Sequence, residues 1–164
     1  MTTPTTLIRD VTVVDGTGGP RYAADVELAD GVIRRIARPG SLEPGAADVI
    51  DGAGLVLSPG FIDMHAHSDL QLLIAPDHYA KLSQGVTTEL LGQDGLSYAP
   101  VAETSLDLIR KQIAGWNSNP DDFDWDWRTV GEYLDRLDRP DAEGRRIATN
   151  AAYLIPQGTL RALV

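Results

Sequence analysis

Two histidines stand one residue apart, His65 and His67, at the end of the stretch "SPGFIDMHAHSDL" (58–70). In an extended strand, side chains two apart share a face. Asp63, His65 and His67 are therefore expected to point one way, and Ile62, Met64 and Ala66 the other. Imidazoles at that spacing can converge on one divalent cation without distorting the backbone. A lone histidine beside an apolar run reads more simply as a hydrogen-bonded core residue, but an H-x-H pair closing the run favours a metal site. Asp63, two residues before His65, is a candidate acceptor supporting the ligands from behind.

Other polar residues compete for attention. Asp94, in "LLGQDGLS", follows a second apolar run and is flanked by Gly92 and Gly95, which allow a tight turn and a close approach. From local sequence it reads equally as a ligand or as an acid capping its own turn. His78 follows Asp77 in a short helical stretch and reads as a surface or capping residue. The run "DDFDWDW" (121–127) places Asp122, Asp124 and Asp126 like the first positions of a calcium loop. Trp127 occupies the obligatory glycine position and Tyr133 the terminal glutamate position, so it is read as a solvated loop anchored by Trp125 and Trp127. "DGTGG" (15–19) is read as a turn, because neither the helix nor the full spacing of a dinucleotide loop follows it.

The elements that must hold these residues fall into two textures. Residues 1–57 read as strands and turns. "TLIRDVTVVDG" alternates around Leu7, Val11 and Val13, Asp30-Gly31 is a hairpin signal, and two short strands flank Asp51-Gly52. This predicts a small antiparallel, β-sandwich-like domain. Residues 58–164 alternate strand and helix. "FIDMHAH", "VTTELLG" and "RIATNAAYLI" read as strands, and "PDHYAKLSQG" as a short helix with Pro76 near its first turn and Gly85 as its stop. "SLDLIRKQIAGW" presents Leu106, Ile109 and Ile113 on one helical face; "TVGEYLDRL" aligns Val130, Tyr133, Leu134 and Leu137. Such a series implies parallel pairing. His65, His67 and Asp94 would then lie at the C-terminal ends of neighbouring strands, where α/β barrels carry their active sites.

Composition narrows the function class. The net charge of −10, with no basic run, argues against a nucleic-acid partner. The sequence contains no cysteine, which removes disulfides and thiolate metal ligands. No apolar segment approaches membrane-span length, and "MTTPTTLIRD" lacks a signal peptide's apolar core, so a cytoplasmic protein is expected.

The order "VVDGTGGP", "ADVELADGVIRRIA" and "VIDGAGLVLSPGFIDMHAHSD" resembles the amidohydrolase superfamily, metal-dependent hydrolases on a (β/α)8 barrel. The continuation "HYAKLSQGVTTELLGQDGLSYAPV" resembles the N-acyl-D-amino-acid deacylases (D-aminoacylases) within it. The resemblance implies that His65 and His67 are the two metal-binding histidines of the first barrel strand, with zinc, one or two ions, as the metal. It sets Asp94 where those deacylases carry a cysteine ligand, which favours the ligand reading; a carboxylate there is a harder donor. Near "LIPQGTLR" this chain has Pro156-Gln157 where many relatives carry a histidine.

A (β/α)8 barrel takes about 250 residues, so this chain has room for roughly three of the eight strands. The catalytic acid or base is thus expected on later strands, and the remainder of the barrel is expected on another chain, absent from this piece, or lost. The implied reaction is metal-dependent deacylation of small-molecule N-acyl-D-amino acids. The alternatives are a cyclic amide hydrolase of hydantoinase or dihydroorotase type, and a non-catalytic fragment.

Overall fold

The first strand, β1 (Thr6–Val13), sets the frame of the N-terminal sheet. The computed structural model describes residues 5–164; the first four residues, part of the opening stretch read above as lacking a leader, lie outside the described residues. The chain divides into two compact units, with the boundary between Pro59 and Gly60.

In the first unit β1 pairs antiparallel with β2 (Tyr22–Ala29), and β2 with β3 (Val32–Ala37). Asp30 and Gly31, both at positive φ, form the two-residue hairpin turn between β2 and β3. The alternation through Leu7, Val11 and Val13 is interrupted. Ile8 pairs with Val26 and Val11 with Ala24, so Arg9 and Asp10 together face Asp25 in a bulge. The extra residue flips the parity: Leu7 is buried as its pattern requires, but it is the partly buried Ile8 that packs against the cluster of Val11, Val13, Ala24 and Val26.

The expectation of an all-antiparallel unit is corrected. β4 (Asp48–Asp51) and β5 (Val56–Leu57) both run parallel to β1, giving a mixed sheet of order β3-β2-β1-β4 with β5 further along β1. They are two pieces of one edge, broken where β1 bulges. Gly52 donates its N–H to Arg9 O (2.8 Å) at that break. A Cβ on Gly52 would stand 2.6 Å from Arg9 O, so only glycine lets the chain pass this close.

The second unit holds a parallel sheet of order β6-β7-β8: β6 (Phe61–Asp63), β7 (Val86–Leu91) and β8 (Asn150–Tyr153). Between β6 and β7 a short helix that was not expected, α1 (Gln71–Ile74), comes first, and the helix expected over 76–85 is reduced to α2 (Tyr79–Leu82). His78 is left-handed (φ 40°) just before α2, which prevents a helix from running through from Pro76.

Between β7 and β8 lie α3 (Glu103–Asn117) and α4 (Val130–Asp138). Leu106, Ile109 and Ile113 of α3 are buried as their spacing requires. Thr129 Oγ1 accepts Glu132 N–H (3.2 Å) while Glu132 Oε2 accepts Thr129 N–H (2.8 Å), which caps α4. Tyr133 and Leu137 are its buried residues, whereas Leu134 is more exposed than the pattern suggests. The acidic loop is anchored as expected: Trp127 is buried and its Nε1 donates to Tyr98 O (2.9 Å). A last helix, α5 (Gln157–Arg161), follows β8. Among the described residues, no helix is long and apolar enough to cross a membrane.

Candidate metal centre

β6 ends at Asp63, so His65 and His67 lie in the bend just beyond the strand. The segment still tracks β7, because Ala66 N–H donates to Leu90 O (3.2 Å). Ala66 turns into the core at 2% exposure, and the histidines on either side of it turn outward. Local alternation therefore survives past the strand end.

Asp94 closes the triangle from the turn after β7. It is left-handed (φ 54°, ψ 18°), a conformation that aspartate tolerates better than most side chains. Its Oδ2 stands 3.3 Å from His65 Nε2 and 3.1 Å from His67 Nε2. The three residues each offer a ligand atom, and these atoms lie within 4.8 Å of one another. Two imidazole nitrogens and a carboxylate oxygen form a donor set that suits zinc and other divalent cations. The His67 ring also stacks on Trp116, at the end of α3, with centroids 4.4 Å apart and planes 29° apart.

Several residues hold this geometry that the sequence did not single out. Asp69 is buried, and its Oδ1 accepts Gly92 N–H (3.1 Å) and the Ser97 hydroxyl, tying the histidine segment to the Asp94 turn. Burial pushes its carboxyl above the usual range, against the pull of those hydrogen bonds. Gln93 Nε2 donates to Met64 O (2.8 Å) and Leu90 O (3.1 Å), a second tie. Gly92 sits at φ 75°, and a Cβ there would meet Leu154 O at 2.1 Å. The "PQGT" segment braces the same turn, for Thr159 Oγ1 accepts Ser97 N–H (3.0 Å) and donates to Ser97 O (2.9 Å). Asp69 carries a weak sequence signal, an acid two residues past His67 ahead of an apolar run; Gln93 carries none.

Two expectations need adjusting. Asp63 does not reach the histidine rings. Its Oδ1 accepts His65 N–H (3.0 Å) and its Oδ2 pairs with Lys81, so it acts on the backbone of the segment. The Lys81 hydrogen bond, followed by that of the His65 N–H, holds its carboxyl below the usual range. His78 is not a surface residue: it is 7% exposed, with Nε2 2.9 Å from Glu89 Oε1. It stands at the N-cap position of α2 without a side-chain cap, and the sequence around His78 gives no sign of the buried acid on β7 beside it.

Comparison with known proteins now places the chain. A sequence profile of the amidohydrolase family matches residues 48–154, and the chain belongs to that family. It is 36% identical over 163 residues to a D-aminoacylase of Alcaligenes xylosoxydans xylosoxydans, covering 96% of this chain and 30% of the relative. An N-acyl-D-glutamate deacylase of the same organism is 44% identical over 89 residues, 54% of this chain and 18% of that protein. Among solved structures, a D-aminoacylase described for its binuclear metal centre superposes with a TM-score of 0.74 at 35% identity, over 96% of this chain and 30% of its own. An N-acyl-D-glutamate deacylase from Bordetella bronchiseptica, complexed with zinc and a phosphonate inhibitor, gives a TM-score of 0.74 at 31% identity over the same shares. The chain thus spans about 30% of the length of the relatives it matches over nearly its whole extent.

Proposed function

We propose that this chain supplies the first βα units of a (β/α)8 metallohydrolase that deacylates N-acyl-D-amino acids, and that His65, His67 and Asp94 are its share of the metal centre. The observation that carries the reading is the convergence of the three side chains, from two separate loops, on one point. The identity to D-aminoacylases over most of the chain supports the substrate class. A divalent ion, zinc above all, would supply Lewis acidity there, acidifying water and polarising the amide carbonyl.

The chain's own residues present two imidazole nitrogens and one carboxylate oxygen, set by ties from Asp63, Asp69 and Gln93. Replacing the cysteine expected at position 94 with a carboxylate hardens the donor set and shifts preference toward metals that favour oxygen. The proton transfers of amide hydrolysis fall to a carboxylate outside these residues. Metal binding is therefore expected of this chain, and turnover only of a completed barrel.

The test is equilibrium dialysis of the purified chain against zinc, cobalt and manganese, beside an assay on an N-acyl-D-amino acid. Stoichiometric zinc uptake that disappears in the His65→Ala/His67→Ala variant, without turnover by the chain alone, is the expected result. Equal zinc uptake by parent and double variant would defeat the metal reading.

A further inference from the structure

Behind the histidine segment, β7 carries a carboxylate that its strand does not need. Glu89 is fully buried in the middle strand of the sheet. Two residues on, Leu91 fills the equivalent position by joining the apolar core. A buried carboxylate is costly unless it is paired, so an acid at this position calls for a use. Its partners are all side chains. Ser68 Oγ donates to Oε2 (2.7 Å) and Thr149 Oγ1 donates to Oε1 (3.3 Å). His78 Nε2 stands 2.9 Å from Oε1, and Lys81 Nζ 3.7 Å from Oε2.

These contacts reach both ends of the segment that bears the ligands. Ser68 immediately follows His67. Lys81 also pairs with Asp63, whose other oxygen accepts His65 N–H (3.0 Å). One buried acid thus meets the downstream end directly and the upstream end through a lysine bridge.

We propose that Glu89 is a positioning residue for the metal centre, fixing residues 63–68 through Ser68 and through the Lys81–Asp63 pair so that both imidazoles stay aimed at Asp94. The proposal rests on the metal-centre reading above and deepens it. It makes no use of proton transfer by Glu89. The contribution is geometric, as with the hydrogen-bonded groups that orient ligands in metal sites generally.

The experiment uses the 164-residue chain and two readouts. Ring signals of the three histidines are recorded by NMR in metal-free protein, and zinc affinity is measured by competition with a chromophoric chelator. Glu89→Gln and Ser68→Ala are expected to stay folded by circular dichroism, to shift or broaden the His65 and His67 signals, and to weaken zinc binding roughly 10–100-fold. Lys81→Arg should hold close to the parent, while Lys81→Met should follow Glu89→Gln. If Glu89→Gln unfolds, Ser68→Ala, which removes one hydroxyl, decides the matter by itself. A folded variant with parental His65 and His67 signals and parental affinity overturns the proposal, as does a change confined to His78. Should the parent bind no zinc, the metal reading fails, and the ring signals still judge the positioning claim.

Discussion

Two carboxylates lie fully buried on inner strands of their own sheets, Asp25 on β2 and Glu89 on β7, and they keep different company. Asp25 accepts backbone N–H groups, from Asp10 at the bulge (3.0 Å) and from Gly40 (2.8 Å). Glu89 accepts only from side chains, Ser68 next to the histidine pair and Thr149 just ahead of β8. A buried acid that satisfies backbone donors serves the fold, because those N–H groups would otherwise be orphaned. An acid surrounded by side chains, one of them next to a candidate ligand, points to a site instead. The same contrast runs from back to front of the histidine segment. Glu89 is buried and hydrogen-bonded, with the buried His78 ring beside it, while the His65 and Asp94 side chains are 59% and 52% exposed, with one another as polar neighbours.

The largest effect expected from this contrast is an all-or-none one. His65→Ala/His67→Ala should abolish zinc uptake while leaving the far-ultraviolet spectrum and unfolding midpoint near those of the parent, since both rings sit outside the core. A double variant that unfolds would make the histidines structural and erase the distinction between front and back.

Asp94 comes next. Asp94→Asn exchanges an anionic donor for a neutral one and should weaken zinc binding beyond the roughly 10–100-fold that supporting residues cost. Asp94→Cys should recover zinc affinity and turn selectivity away from manganese, because a thiolate is a softer ligand. Competition titrations with the two metals read both changes. An Asn variant with unchanged affinity would return Asp94 to the role of a turn residue.

Asp25 tests the other side of the comparison. Asp25→Ala orphans two backbone donors and should cost about 3 kcal/mol in the first unit, with zinc affinity unchanged. The Asp10 N–H, with further help from the backbone at Leu42 and Gly40 and from the Arg9 charge, holds the Asp25 carboxyl below its usual range. A lowered folded-state value means stability that is present above the ordinary aspartate range and lost as the pH falls through the lowered value. The parent should lose that increment on acidification, and the Ala variant should show no corresponding loss. All three tryptophans lie in the second unit, so circular dichroism rather than their fluorescence must follow this transition.

What the sequence revealed, and what it hid, divides along physical lines. The Asp30-Gly31 turn, the buried faces of α3 and α4 and the convergence-prone H-x-H pair are local patterns, and each was legible. The bulge at Arg9 and Asp10 was not, because it is defined only against the register of β2. Parallel pairing of β4 and β5 with β1 is likewise a property of partners distant in sequence. His78 read as a surface or capping residue; it does stand at the N-cap position of α2, but its side chain makes no cap, and its burial beside Glu89 depends on the next strand. Asp69 and Gln93 tie two loops through contacts 23 and 29 residues apart, and no local pattern marks such ties. Propensity and periodicity point to the candidate ligands; the residues that tie their loops together emerge only from the packing.

The smallest expected effect belongs to Trp116. Its indole stacks on the His67 ring and remains 52% exposed, so it touches the front of the site without being part of the core. It offers no lone pair to a cation. What it contributes is a stacked contact, worth about 0.5–1.5 kcal/mol beyond its burial, or at most about a tenfold change in affinity. Trp116→Phe keeps an aromatic face and should lower zinc affinity by less than that, below the effect of Ser68→Ala. Zinc held by His67 should alter the emission of the stacked indole, while Trp125 and Trp127, packed with Phe123 and Tyr133 in a separate aromatic cluster, stay constant. A zinc titration followed by fluorescence should therefore give a change in the parent that vanishes in Trp116→Phe, with nearly the same affinity by chelator competition. A loss exceeding about tenfold would give Trp116 the same weight as the buried clamp. Support for the ligands would then come from the front of the site as much as from behind it.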